Sequence, residues 1–436
     1  MSDHAVQPSE RPTLVRAIGR WALTAAVVNA VIGSGIFGMP APLAGHLGAS
    51  SPWAVLMAGA GIFLIVLCFA EVASRFDEAG GPYLYAREAF GSATGFQIGW
   101  LHILTRLLSA AAVLNILIAY LSSLISWPGT SVGRAVTMTV GMLIVTGLNL
   151  GGVRQATWTV NLFTAAKLLP LLALIALGMF NLNGDVLASQ AVSKPSWTDG
   201  VLLLVFAYGG FESAVIAASE TREPKRHTAF ALVVAMLSIT AIYCLLQLVV
   251  VAVLPNAASS AVPVAATLRE LLGPIGSTIG SVAVVISVYG WLTGFALMTP
   301  RLMFSMAERG ELPAFLARVH PRWRTPHNAI IANSAIALAL GLAGGFAQMA
   351  TFSVISRIAI YAATCAALIA LRRKHGNNSD FRVPGGMVVA SAGIVFCVWL
   401  ISTRSLEQAW FLPVVMALGA VVWLLARKSR AEFAPK

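Results

Sequence analysis

Charge is what this chain of 436 residues has least of: Asp, Glu, Lys and Arg together make up 11% of it, against about 25% in an ordinary soluble domain. Hydrophobic residues make up 58%, above the roughly 45–50% of a globular chain. So little charge excludes a soluble fold, because the apolar surface is too large to hide from water, and lipid must be part of the solvent. Cysteine is nearly as scarce. Cys68, Cys244, Cys365 and Cys397 each fall inside an apolar run, with neither metal-ligand spacing nor the pattern of an extracellular disulfide framework. The seven histidines also lack zinc spacing, so neither a metal nor a cofactor is expected. The first nineteen residues lack the apolar core of a cleavable signal peptide, and the first apolar run is expected to serve as the insertion signal. The net charge of +12 does not point to nucleic acid. The basic residues sit in short clusters between apolar runs, where membrane topology places them.

What is abundant is apolar runs of spanning length, near 20 residues each. Twelve are read at 20–44, 53–76, 97–126, 133–150, 157–181, 198–219, 228–254, 275–306, 327–346, 349–371, 386–402 and 408–427. An open sheet edge cannot be satisfied in hydrocarbon, so these are expected to be helices. With the N-terminus cytoplasmic, 22 Lys and Arg fall on the cytoplasmic side and only Arg134, Lys194, Arg269 and Arg404 outside. The positive-inside rule then predicts an all-α integral membrane protein of the cytoplasmic membrane with both termini cytoplasmic. The tails are 1–19 and 428–436.

Two runs carry central glycines. The first reads WALTAAVVNAVIGSGIFGMPAPLAG, with Gly33, Ser34, Gly35 and Gly38 at its centre and Pro40 and Pro42 just beyond. Its G-x-G-x-x-G string is no dinucleotide fingerprint, because it follows no strand and Val55–Met57, some 20 residues on, are apolar. Helix-weak residues clustered at mid-membrane predict a broken helix whose bare backbone lines a cavity. The sixth run, VLLLVFAYGGFESAVIAASE, repeats the pattern at Gly209 and Gly210. Paired breaks in two halves point to a transporter site between inverted repeats. Five spans separate the breaks, which gives repeats over 20–181 and 198–371 and two trailing helices over 386–427. Helix N-termini suit a carboxylate, while freed carbonyls suit an ammonium group, so a zwitterion fits both.

GSGIFGMP, the loop AEVASRFDEAGGPYLYAREAFG, FAYGGFES and TPRLMFSMAERGELPAFLARVHPRWRTP resemble the amino acid–polyamine–organocation (APC) permeases, from about Arg16 to Arg427. The resemblance implies a LeuT-like fold of five-plus-five inverted repeats and alternating access around a central amino acid site. It implies that Ser34, Gly35 and Ile36 meet the substrate carboxylate and Phe206, Ala207 and Gly209 its amine, with Gly33, Gly38 and Gly210 structural and Phe206 a gate. By the same likeness Glu212 and Arg357 lie at a middle gate, and they are expected to pair.

Ionisable residues at membrane depth are costly and mark function. Lys167 sits about ten residues into its span. It is read either as a lysine snorkelling to the cytoplasmic face or as a titrating ammonium that couples transport to protons, as lysines here do in proton-coupled members of the resembled family. Arg106, with His102 one turn earlier, is expected either to bind an acidic substrate group bidentately or to pair with Glu71. The leading expectation is proton-coupled amino acid symport; exchange without net proton coupling is the alternative. A channel would show filter-like repeats or charge rings, and an enzyme a clustered His, Cys or carboxylate constellation. The sequence shows neither, and a transceptor is the remaining non-pumping reading.

Overall fold

The structure is a computed structural model, and it describes residues 19–33, 35–76, 81–151, 156–212, 224–376, 379, 381–405, 408 and 410–433, with side chains for all of these except 156–166, 224–226 and 427–433. Every regular element among the described residues is helical. The first apolar run contains α1 (Arg20–Val31), α2 (Gly35–Gly38) and α3 (Pro40–Leu47). It is followed by α4 (Ser51–Ala73), a short α5 (Gly81–Phe90), α6 (Ser92–Ser122), α7 (Ser131–Leu150), α8 (Ala156–Met179), α9 (Gly184–Ser189) and α10 (Trp197–Ala207). The remainder comprises α11 (Pro224–Val253), α12 (Pro263–Glu308), α13 (His327–Ala343), α14 (Phe346–His375), α15 (Gly386–Ser402) and α16 (Phe411–Phe433).

Among the described residues, seven helical stretches are long and apolar enough to cross a bilayer: Arg20–Gly38, Pro40–Ala73, Ser92–Ser122, Ser131–Leu150, His227–Val253, Pro263–Glu308 and Phe346–His375. Five shorter apolar helices are Lys167–Met179, Trp197–Ala207, His327–Ala343, Gly386–Ser402 and Phe411–Ala426. Expected and observed boundaries differ most at α12, which begins a dozen residues before the expected 275. Gly273, at φ 68°, lies outside helical geometry and kinks α12 between a first segment and the long one. A glycine tolerates that backbone, and Pro274 can open the next helical turn because its missing N–H has no partner there anyway. The stretch after α4, expected to be a loop, contains α5, whose apolar side packs on α6 and α14.

Burial separates centre from rim. Along α6, 83% of the most apolar window is buried, against 28% along α7. The exposed Val132, Val136, Val140, Leu143, Ile144 and Leu148 of α7 recur at helical spacing and form the face suited to lipid. α6 is packed by α12, α13 and α14, while α4 is packed by α10, α11, α14 and α15. Between these two groups lie the breaks.

Candidate functional site: a cleft between two interrupted helices

The first helix stops where expected. Ile32 leaves helical geometry at ψ 76°, and the Gly33 N–H turns back to the Val31 carbonyl at 2.6 Å. Ser34 lies outside the described residues, and helix resumes at Gly35. The second break follows α10, where Tyr208–Gly210 form a turn. Gly210 has φ +125° and packs its α-carbon face against the Ala30 carbonyl, so a side chain there meets both strain and overlap. The two breaks touch. A Cβ at Gly35 would lie 3.1 Å from Ala207 Cα, and one at Gly33 2.7 Å from the Trp291 ring.

Tyr243 of α11 joins the breaks. Its hydroxyl lies 3.2 Å from the Val31 carbonyl and 3.0 Å from the Ala207 carbonyl, the last residues of α1 and α10. Both are acceptors at helix ends, which need a donor when buried; Val31 also has the Gly33 N–H, so Tyr243 matters most to Ala207. Nothing in the glycine pattern singles this tyrosine out. The available signal is only that a phenol inside an apolar span must find an acceptor.

Val31, Gly33, Gly35, Arg106, Ser109, Phe206, Ala207, Gly209, Trp291 and Arg357 line a narrow cleft of about 20 Å³, room for about one water, so a substrate enters only if these walls move apart. The expected Gly35, Phe206, Ala207, Gly209 and Arg106 therefore share one site, with Gly33 and Arg357, the residues expected to be structural and gating. Ile36 is buried and is not among the lining residues. Gly38 packs elsewhere, and a Cβ on it would sit 2.8 Å from Phe346 and 2.9 Å from Ile116. Those two side chains line a second, larger cavity of about 250 Å³, together with Asn115, Tyr120 and Ala258. Phe206 and Phe346 meet edge-to-face at 6.0 Å, so this ring pair forms part of the wall between the cavities.

The expected Glu212–Arg357 pair is present, with Arg357 Nε 3.4 Å from Glu212 Oε1 and both side chains buried. Arg357 also donates to the carbonyls of Val205 and Phe206 at 3.3 and 3.2 Å and to Ser109 Oγ at 3.4 Å. Glu212 accepts from the Tyr361 hydroxyl and the Gly210 N–H, each at 2.6 Å. The guanidinium lies against Gly209, where a Cβ would overlap it. Tyr361 is a second residue that the glycine and charge patterns do not reveal.

Arg106 does not pair with Glu71. That carboxylate sits near the end of α4 and takes Arg75 at 3.3 Å, Arg372 at 2.7 and 2.5 Å, and the Val383 N–H at 2.8 Å. Arg372 belongs to the last turn of α14, level with the end of α4, whereas Arg106 is placed mid-helix in α6. Arg106 stacks on Trp291, its guanidinium carbon 5.0 Å from the ring centroid. Lys167 is buried on α8 and donates to the Asn29 carbonyl of α1, one turn before the first break. A further polar cluster lies beyond the bundle, between α5 and the end of α12. There the Tyr83 hydroxyl meets both Glu311 oxygens at 3.0 and 2.8 Å and accepts from Arg87 and Arg309. Burial pushes the Tyr83 hydroxyl above its usual range, opposed by Arg309 and reinforced by Glu311.

A helical, multi-pass membrane protein with two interrupted helices around a polar cleft is the architecture of a permease. The chain belongs to the amino acid permease family, whose model matches residues 18–425. It is 27% identical to the serine/threonine exchanger SteT of Bacillus subtilis, over 85% of this chain and 87% of that protein. It is 26% identical to the methylthioribose transporter of the same organism, over 95% and 92%. It is also 26% identical to the human Asc-type amino acid transporter 1, over 95% and 82%.

Proposed function

We propose that this protein is a secondary transporter that moves amino acids across the cytoplasmic membrane by alternating access. The observation that carries the proposal is the meeting of two helix breaks, Ile32–Gly33 and Tyr208–Gly210, at one cleft lined by both. Irregular backbone is tolerated at membrane depth only where it is buried or lines a cavity, and paired breaks are the mark of a transporter site. The family match and the names of the relatives support an amino acid as cargo.

In this reading the seven long and five shorter apolar helices make twelve spans, arranged as repeats over 20–181 and 198–371 with two helices trailing, and both termini face the cytoplasm. The substrate carboxylate meets Ser34, Gly35 and Ile36, and its amine meets Phe206, Ala207 and Gly209. Phe206 closes the cleft toward the larger cavity, which is the outer vestibule. Glu212 and Arg357 form the middle gate, and the Tyr83–Glu311 cluster seals the cytoplasmic side. Proton coupling acts through Lys167. A charged ammonium holds the Asn29 carbonyl and so ties α8 to the helix end that must move, and a neutral amine holds it less firmly. Exchange is the second reading, favoured by the likeness to a serine/threonine exchanger.

Purified protein in liposomes tests both readings. Labelled amino acid uptake driven by an imposed pH gradient, with nothing loaded inside, is the expected result. Uptake only against internal amino acid shows exchange instead, and uptake under neither condition refutes the transporter reading.

A further inference from the structure

The charges at the cleft do not balance. Two guanidinium groups line it, Arg106 from α6 and Arg357 from α14, and among the described residues no carboxylate does. Glu212 answers Arg357, and its oxygens are already engaged by Arg357, Tyr361 and the Gly210 N–H. Arg106 has no ion pair and no hydrogen bond among the described residues; its contact is the face of Trp291. The other ionisable group on that stretch of α6, His102, is buried one turn earlier and supplies no negative charge. Glu212, the carboxylate whose field reaches Arg106, is already paired with Arg357, and a cation at membrane depth with no carboxylate of its own among the described residues is costly and marks a substrate path by default.

The acceptors tell the same story from the other side. The last carbonyls of α10 are the groups a second ammonium on a substrate would need. Val205 and Phe206 already receive Arg357, and Ala207 receives Tyr243. What acceptor capacity these carbonyls keep goes to the substrate's own amine, so the cleft offers a spare cation and no acceptor to spare for a second ammonium. A guanidinium presents a planar fork of donors that matches a carboxylate bidentately. The Trp291 ring, its centroid 5.0 Å from the guanidinium carbon, attracts the cation without taking its N–H donors, which leaves those donors for a ligand.

We propose that the cleft selects amino acids bearing a second carboxylate, with the side-chain carboxylate of a glutamate- or aspartate-like substrate bound by Arg106 and oriented through Trp291. This inference rests on the amino acid reading above and narrows it to anionic substrates. It also excludes lysine- and arginine-like cargo, whose side-chain cation would face Arg106.

The test is competition in proteoliposomes loaded with a mixture of L-glutamate and L-serine. Each labelled amino acid is taken up against unlabelled L-glutamate, L-aspartate, L-serine and L-arginine. The expected result is that L-glutamate or L-aspartate competes at least about tenfold better than L-serine, and that L-arginine does not compete. Arg106→Gln should collapse that ratio by about tenfold or more, with Arg106→Lys intermediate. Uptake of L-serine without competition by acidic amino acids overturns the proposal while leaving the amino acid reading intact. An acidic preference retained in Arg106→Gln overturns the role of Arg106. Uptake of neither class by monodisperse wild-type protein overturns both readings. If Arg106→Gln does not fold, the wild-type competition ratio alone decides.

Discussion

The buried Glu212–Arg357 pair allows a quantitative experiment. At 3.4 Å, two unit charges in an effective dielectric of about 20 attract by about 5 kcal/mol. Removing one partner of a buried pair typically costs about 3–5 kcal/mol, because the other charge is left uncompensated. Each partner here has other bonds to soften the loss. After Glu212→Gln, Arg357 still has the carbonyls of Val205 and Phe206 and the hydroxyl of Ser109. After Arg357→Met, Glu212 keeps the Tyr361 hydroxyl and the Gly210 N–H. Each single variant should therefore lose stability at the lower end of that range, about 3 kcal/mol. The double variant leaves no orphan charge and should recover, with a coupling energy of about 2–3 kcal/mol. Cys68, Cys365 and Cys397 are buried free thiols, so a thiol-reactive dye reports unfolding in detergent without added labels. Melting the wild type, both single variants and the double variant closes the cycle. A double variant that loses as much as the two singles combined would show that the charges do not support each other, and the gate assignment would fail with them.

Lys167→Met should abolish accumulation driven by a pH gradient in liposomes; uptake that keeps its pH response would exclude Lys167 as the coupling residue. Gly209→Ala places a methyl group on the Arg357 guanidinium and should lower the dye-detected melting temperature much as Arg357→Met does. Tyr243→Phe strips the phenol donor from the buried Ala207 carbonyl, while Val31 keeps the Gly33 N–H, and should cost about 1–3 kcal/mol in the same melt. Phe206→Ala removes one ring of the wall between the two cavities. A cysteine at Ser109 should then react faster with a water-soluble thiol reagent than it does behind the intact wall.

The apolar runs made the helices legible, because hydrocarbon admits no other open-ended structure. Two glycine clusters at mid-span also marked both breaks to within a few residues. Legibility failed where the partner is distant in sequence. Arg75 stands four residues from Glu71, but Arg372 stands 301 residues away, and no local pattern could have chosen it over Arg106. The charged pair Glu212–Arg357 was reached through resemblance, because two lone charges in separate spans carry no address for one another. Tyr243 and Tyr361 were missed for a related reason. A tyrosine in an apolar span advertises a need for an acceptor without saying which, and here the acceptors are helix ends and a carboxylate assembled by the fold. The kink at Gly273 was hidden as well, since the residues on both sides of it form helix and only the backbone angle at one position interrupts it.

The Tyr243 phenol has a single proton and two waiting oxygens, one at the end of each broken rod. A lone hydrogen cannot serve both fully. When one rod tips away, it can settle on the other without a solvent molecule entering the bundle. In an alternating-access cycle this proton would stay bonded to one rod at a time, and the Gly33 N–H would still cover the Val31 oxygen when the phenol leaves it.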